Sequence, residues 1–222
     1  MTAVKENFAE LREDGARLKD AWGVRVLGAL VIVGATALAY VPAVAGKFVW
    51  DDSSWTTGIR PLLRDGSGLR RMWFDPAALQ QYYPLSGTTF WIDYHLWGFN
   101  PVPYHIENLL LHVVSALLFW ALLRRLNVPG AWLAGAIFAV HPLMVESVAW
   151  ITERKNVLSL PFYLGSILAY DRFTRLGDAA GDAPAGLGRN WGAYALFVLL
   201  MAGLLVVVCY AKGESPRWRW GK

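Results

Sequence analysis

Charge is the first thing this chain has little of. Only 17% of its 222 residues are Asp, Glu, Lys or Arg, against about 25% in soluble domains, and 55% are hydrophobic. With several long uncharged runs, this excludes an ordinary soluble domain and points to a polytopic membrane protein, whose spans each need about 20 apolar residues. Cysteine is nearly absent. The single Cys209 lies inside an apolar run, so no internal disulfide can form and no Cys-x-x-Cys metal or redox spacing exists. The sequence has no Asn-x-Ser/Thr acceptor, no Walker A loop, no Rossmann glycine pattern and no His-Glu-x-x-His. Nucleotide-driven transport and zincin chemistry therefore have no support. The basic excess is small, +4, and gathers near membrane edges. That disfavours nucleic acid and favours anionic lipid headgroups or phosphates.

What is present is a series of apolar runs. A mixed-charge lead-in over 1–23 reads as an amphipathic cytoplasmic segment. The spacing predicts five spans, over 24–45, 106–123, 126–145, 156–170 and 191–211, in an all-α integral membrane domain covering 24–211. Ala43-Val44-Ala45 has the small-x-small form of a signal-peptidase site, but the run before it is long and the region preceding that carries many acids. Residues 46–104 are too polar to span, and they hold 13 of the chain's 31 aromatics. A connection of 59 residues is long enough to imply a task. Two stretches in it read as helices lying in the interface: Leu62, Leu63, Leu69, Met72 and Trp73 among Arg64, Arg70 and Arg71, then Phe90, Tyr94 and Trp97 at i, i+4, i+7. Basic residues in the short loops put the N-terminus in the cytoplasm and the 46–104 loop outside. Five spans then leave Lys212, Arg217, Arg219 and Lys222 outside, against the positive-inside tendency, and the atypical tail over 212–222 reads as that of a truncated or frame-altered product.

Asp51-Asp52 opens the long loop just past the first span. Adjacent carboxylates there are either helix caps or functional groups. One would accept a proton from a hydroxyl while the other holds it in place, or the two would help bind a divalent metal or a phosphate. His105, Asn108 and His112 share one helical face at i, i+3, i+7, which suits either a cavity lining or an interhelical hydrogen-bond face. The two histidines are about 10 Å apart along the helix, too far for one ion without further ligands. His141-Pro142 and Glu146 fall at the outer end of the third span. Arg154 and Lys155 are a phosphate clamp or snorkelling cations. Lys212 returns to the same outer face. Gln80-Gln81-Tyr82-Tyr83-Pro84 sets amides beside rings, a pattern suited to a sugar or a polyprenyl chain.

Four segments together resemble a known family: Phe48-Val49-Trp50-Asp51-Asp52, Tyr83-Pro84-Leu85, Tyr104-His105-Ile106-Glu107-Asn108-Leu109-Leu110-Leu111-His112, and His141 to Ile151 with Arg154. They are similar to the transmembrane and tetratricopeptide-repeat O-mannosyltransferases, well over 47–173 and weakly on to Lys212. The resemblance implies a GT-C type membrane fold and a bacterial relative of that family. It also implies a polyprenyl-phosphate-linked sugar donor, mannose in the named members, and an acceptor hydroxyl on the outer or lumenal face, with a protein as acceptor. Asp51 and Asp52 match the family's acidic pair. His105, Asn108 and His112 match its histidine-asparagine-histidine helix, His141 and Glu146 its His-Pro and Glu-Ser-Val-Ala-Trp segment, and Arg154 and Lys212 its basic positions. Family members carry about twice as many spans and a tetratricopeptide array, which these 222 residues lack.

The expectation is therefore a membrane glycosyltransferase fragment. Asp51 or Asp52 is the base and Arg154, Lys155 and Lys212 meet the phosphate. His105, Asn108, His112, His141, Glu146, Tyr82 and Tyr83 line the site. The expected partners are membrane lipid, the lipid-linked sugar and a protein acceptor, with no cofactor identified beyond the divalent metal that Asp51 and Asp52 could help hold. The expected location is the bacterial inner membrane, or the endoplasmic reticulum membrane in a eukaryote. The rival reading is a non-catalytic module that binds a polyprenyl-phosphate lipid, or an inactive remnant. A transporter is third, since no inverted repeat is visible.

Overall fold

The computed structural model describes residues 2–178 and 190–208. Helices α1 (Thr2–Val44), α6 (Pro101–Arg125), α7 (Ala131–Val140), α9 (Arg154–Asp178) and α10 (Trp191–Val208) form an all-α bundle, with no strand among the described residues. Three segments are long and apolar enough to cross a membrane: Trp22–Val44, Pro101–Arg125 and Trp191–Val208. A fourth crossing is supplied if α7 and the segment Pro142–Ala149, bent from it by 49°, count as one broken span. The protein is thus an α-helical membrane protein. The predicted fourth span is a helix, α9, but it is not among the helices that meet the crossing test. Its apolar stretch is short, and its C-terminal part carries Asp171, Arg172 and Arg175.

The bundle is built on α6, which packs against α1, α7 and α9, while α10 lies along α9. Sequence chemistry fixes where α6 begins. The Asn100 side chain accepts from the Val102 N–H at 3.2 Å, and Pro101 occupies a first-turn position where no donor is needed. Arg124 and Arg125 close its last turn. The predicted third span starts later than expected. Residues 126–130 form a turn in which Asn127 takes a left-handed φ of 56°, and His141-Pro142 then breaks the apolar run into α7, a 3-10 turn (Pro142–Met144) and α8 (Val145–Ala149).

The 46–104 segment is folded into four helices: α2 (Asp52–Trp55), α3 (Arg60–Leu63), α4 (Gly66–Phe74) and α5 (Pro84–Trp97). The first expected interfacial helix is divided at Asp65, whose carboxylate caps α4 by accepting from the Gly68 N–H at 3.0 Å. Leu62, Leu63 and Met72 do not face a bilayer surface. They turn inward with Trp55, Ile59, Leu79, Phe90, Tyr104 and Ile151 into one apolar core. The long loop is therefore a packed cap resting on the first turn of α6.

Candidate functional site

The cap, the first turns of α6 and the segment between α8 and α9 meet around Asp51 and Asp52. Asp51 stands at the N-cap position of α2 but makes no capping hydrogen bond. Both carboxylates instead engage Thr152, about a hundred residues away. The Thr152 N–H donates to Asp52 Oδ1 and the Thr152 hydroxyl to Asp51 Oδ1, each at 3.0 Å. Asp52 Oδ2 also accepts from the Val49 N–H at 2.9 Å. Asp52 is completely buried and Asp51 is exposed. Burial pushes the Asp52 carboxyl above its ordinary range, against the opposing pull of its hydrogen bonds to Val49 and Thr152. The pair is thus asymmetric: one carboxylate is anchored, and the other is held by one oxygen and faces outward.

Thr152 is positioned by a second constellation. Arg154 is wholly buried. Its Nη1 donates to Asp93 of α5, to Glu107 of α6 at 2.6 Å and to Thr89 at 3.4 Å. Nη2 donates to the Tyr104 carbonyl and Nε to Asn108 Oδ1, both at 3.0 Å. The guanidinium also lies over the Phe90 ring at 4.7 Å. The Asn108 amide donates to the Trp150 and Ile151 carbonyls at 3.1 and 3.4 Å. Arg154 and Asn108 therefore stand behind the acidic pair and fix the segment that presents Thr152. Arg154 has no exposed donor with which to clamp a phosphate, because two internal carboxylates compensate its buried charge.

The other predicted residues separate in the same way. His112 is buried deep in the bundle, with its Nε2 3.0 Å from the Ala139 carbonyl and its ring between Tyr40 and Phe138; it ties α6 to α7 and does not line the outer mouth. Tyr82 donates its hydroxyl to the Trp73 carbonyl at 2.7 Å, within the cap. His141 Nδ1 accepts from the Leu143 N–H at 3.2 Å and caps the 3-10 turn. Glu146 is exposed. Lys155 is partly exposed, bonded to Glu153 at 2.7 Å and set 5.9 Å from the centre of the Tyr83 ring. Lys212 lies outside the described residues. His105 remains at the site. It is buried and sits against Gly46, with the backbone of Gly46 and of Ala149 within reach of its ring nitrogens. A Cβ at Gly46 would lie 3.1 Å from His105 Nε2 and 2.8 Å from the Ala43 carbonyl, so only glycine fits this approach. The Trp150 indole N–H is buried and, among the described residues, has no partner.

Sequence reasoning missed Thr152, Asp93 and Trp50. Asp93 carried a signal, an acid on an otherwise apolar helix face. Trp50 carries its signal only in the backbone. It adopts φ 49°, rare for a large side chain, and the residue is 78% exposed beside Asp51 while its ring meets Trp150 edge-on at 4.8 Å. An apolar groove of about 470 Å³ lies at the same end of the bundle, lined by Ala37, Val41, Val44, Ala45, Val102 and Leu109. Among the described residues no three His, Cys, Asp or Glu side chains converge as a metal-ligand set.

No family model and no solved structure matches the chain. Several curated proteins do. The chain is 30% identical over 183 residues to protein O-mannosyl-transferase TMTC1 of Homo sapiens, covering 77% of this chain and 21% of that protein. It is 31% identical over 195 residues to protein O-mannosyl-transferase Tmtc1 of Drosophila melanogaster (80% and 21%). It is 29% identical over 217 residues to protein O-mannosyl-transferase TMTC4 of Homo sapiens (86% and 28%). The chain thus spans only 21% to 28% of the length of these relatives. Over most of its own length, however, it is similar to one portion of the protein O-mannosyl-transferases, and that similarity supports a glycosyltransferase relationship for this membrane protein.

Proposed function

We propose that this chain carries the acidic centre of a membrane glycosyltransferase that moves a sugar, mannose in the named relatives, from a polyprenyl-phosphate donor to an acceptor hydroxyl on the outer face. The observation that carries this reading is the asymmetric acidic pair held by Thr152. Asp51 is the base, because it is exposed and, among the described residues, only its Oδ1 is hydrogen-bonded. Asp52 is its buried anchor. In the step, the acceptor O–H bond breaks and its proton passes to the Asp51 carboxylate. The acceptor oxygen bonds to the sugar's anomeric carbon, and the bond from that carbon to the phosphate oxygen breaks, leaving polyprenyl phosphate. The apolar groove along the outer part of α1 suits the start of the polyprenyl chain. The Trp50 ring suits the sugar face. The buried Trp150 N–H, without a partner among the described residues, keeps hydrogen-bonding capacity for a bound substrate, and His105 lines the same site. Lys155 and Lys212 are the cations proposed for the phosphate, and Arg154 is a positioning residue. An acceptor protein, an N-terminus on the cytoplasmic side and a bacterial inner-membrane location belong to the same proposal.

The test is transfer from a polyprenyl-phosphate sugar to an acceptor peptide by the chain in lipid. Asp51→Asn is expected to lower kcat by two orders of magnitude or more while saturable donor binding persists. Thr152→Val is expected to lower it less. Donor binding with no turnover in the unmodified chain favours the non-catalytic lipid-binding module. Turnover unchanged in Asp51→Asn removes the base assignment.

A further inference from the structure

The end of the bundle opposite Asp51 and Asp52 carries a second, larger groove, of about 660 Å³, between α1, α6 and α7. Its walls are apolar: Val24, Leu27 and Val31 from α1 face Trp120 of α6 and Trp132 of α7. Two arginines stand at it, Arg25 and Arg124, and among the described residues no acid lines it. Both arginines are exposed, and among the described residues neither makes an ion pair. Their neighbour Arg125 is different, because it pairs with Asp171. The groove is built rather than incidental. Trp132 donates its indole N–H to the Gly28 carbonyl at 3.1 Å and closes α7 over α1. The Arg124 guanidinium lies over the Trp120 ring at 5.4 Å, which aims it at the groove.

These features have the chemistry of one occupant. Arg25 lies near the start of the Trp22–Val44 span and Arg124 at the end of the Pro101–Arg125 span, the level at which lipid headgroups meet the hydrocarbon. Two guanidiniums without an ion pair among the described residues, standing at headgroup level, attract a phosphodiester, and an apolar channel running along α1 below them takes an acyl chain. A basic pocket between helices at the membrane edge is the general form of an anionic-lipid site.

We propose that this groove binds an anionic phospholipid of the bilayer, its phosphate held by Arg25 and Arg124 and one acyl chain lying along Leu27, Val31 and Trp120. The bound lipid bridges α1, α6 and α7 from the end opposite the acidic pair. The proposal is independent of the glycosyltransferase reading, and its test does not use turnover.

The test places the whole chain in phosphatidylcholine bilayers with spin-labelled phosphatidylglycerol or spin-labelled phosphatidylcholine. The measurement is the motionally restricted fraction of each. The unmodified chain is expected to select phosphatidylglycerol. Arg25→Gln and Arg124→Gln should each lower that selectivity about fivefold, and together they should remove it. Val31→Trp keeps both charges and fills the channel, so it should also remove the restricted phosphatidylglycerol, which separates a groove from mere surface charge. Selectivity unchanged in the double variant, or unaffected by Val31→Trp, overturns the site. Displacement of the labelled lipid by polyprenyl phosphate at far lower concentration than by unlabelled phosphatidylglycerol overturns the choice of lipid. A chain that is dimeric, and restricts lipid at this groove only when dissociated, assigns the groove to a second copy and overturns the proposal as well.

Discussion

Replacing Arg154 by methionine tests the architecture behind the acidic pair more directly than any change at the pair itself. The side chain is wholly buried, and it faces Asp93, 6% exposed, and Glu107, 35% exposed. Methionine fills much of the same volume but leaves two carboxylates facing each other without a cation. Removing one partner of a buried ion pair destabilises by about 3–5 kcal/mol. The partial exposure of Glu107 argues for the lower end, about 3 kcal/mol, since solvent screens part of the interaction. A protein of this size changes its Tm by about 2–4 °C per kcal/mol, so Arg154→Met should lower the apparent Tm by roughly 6–12 °C. The assay is thermal unfolding in detergent micelles, followed by tryptophan emission. The decisive arm is the triple variant Arg154→Met, Asp93→Asn, Glu107→Gln. It removes both stranded charges and should recover most of the loss, because a neutral cluster of similar volume is often as stable as the ion pair. If Arg154→Met shifts Tm by less than 2 °C, or the triple variant is no better than the single, the guanidinium does not hold the cap to α6 as described.

Two further predictions follow from the pair and its neighbour. Burial raises the Asp52 carboxyl above its ordinary range in the folded chain, so the native state binds the proton more tightly than the unfolded state. Its favourable contribution is complete below the unfolded pKa and is lost as pH rises through the folded one. The stability of the unmodified chain relative to Asp52→Asn should therefore fall as pH rises from about 3.8, with a slope of no more than about 1.4 kcal/mol per pH unit; a difference that grows with pH would refute the sign. Trp50→Gly relieves a left-handed backbone cost of about 1–2 kcal/mol and gives up an edge-on ring contact with Trp150 worth about 0.5–1.5 kcal/mol. Its Tm should stay near that of the unmodified chain while the KM for the sugar donor rises. A large Tm loss with an unchanged KM would make the ring a structural element.

Much of the fold was legible because it rests on short-range chemistry. The apolar runs match the helices α1, α6 and α10, whereas the run over 156–170 became α9, a helix outside the segments long and apolar enough to cross a membrane. The periodicity of Phe90, Tyr94 and Trp97 gave α5, and Arg124-Arg125 gave the end of α6. The acidic pair and His105 were legible because ionisable groups beside a span stand out against the surrounding apolar sequence. The partners of those groups were not. Thr152 lies 100 residues from Asp52 and Asp93 lies 61 from Arg154, and neither has a local pattern that names its contact. The same limit governs Arg154. A cation at the head of a helix looks like a phosphate ligand in one dimension, and only the folded cap shows that Asp93 and Glu107 meet it. Asn108 and His112 illustrate the matching ambiguity on α6, where one polar face serves to bind other helices. The division at Asp65 was hidden for a different reason: a cap residue inside an apolar periodicity reads as one more exposed position.

The spacing between Thr152 and Arg154 links the two constellations. Both belong to the short connection from α8 to α9, a 3-10 turn over Ile151–Glu153 followed by the first residue of α9. Residues two apart in such a turn point in different directions. Thr152 meets the carboxylates that follow the first span, and Arg154 meets the carboxylates of the cap and of α6. Each side of the turn is fixed by groups that cannot be buried without it: Asp52 needs the Thr152 N–H, and Asp93 needs the guanidinium. The Asn108 amide holds the turn's own carbonyls between them. A shift in the cap would therefore move Arg154, and through one turn of backbone it would move the hydroxyl that aims Asp51. If the pair acts on a hydroxyl, substitutions at Asp93 should change the rate without touching the substrate, because the geometry of Asp51 depends on a segment that the cap holds in place.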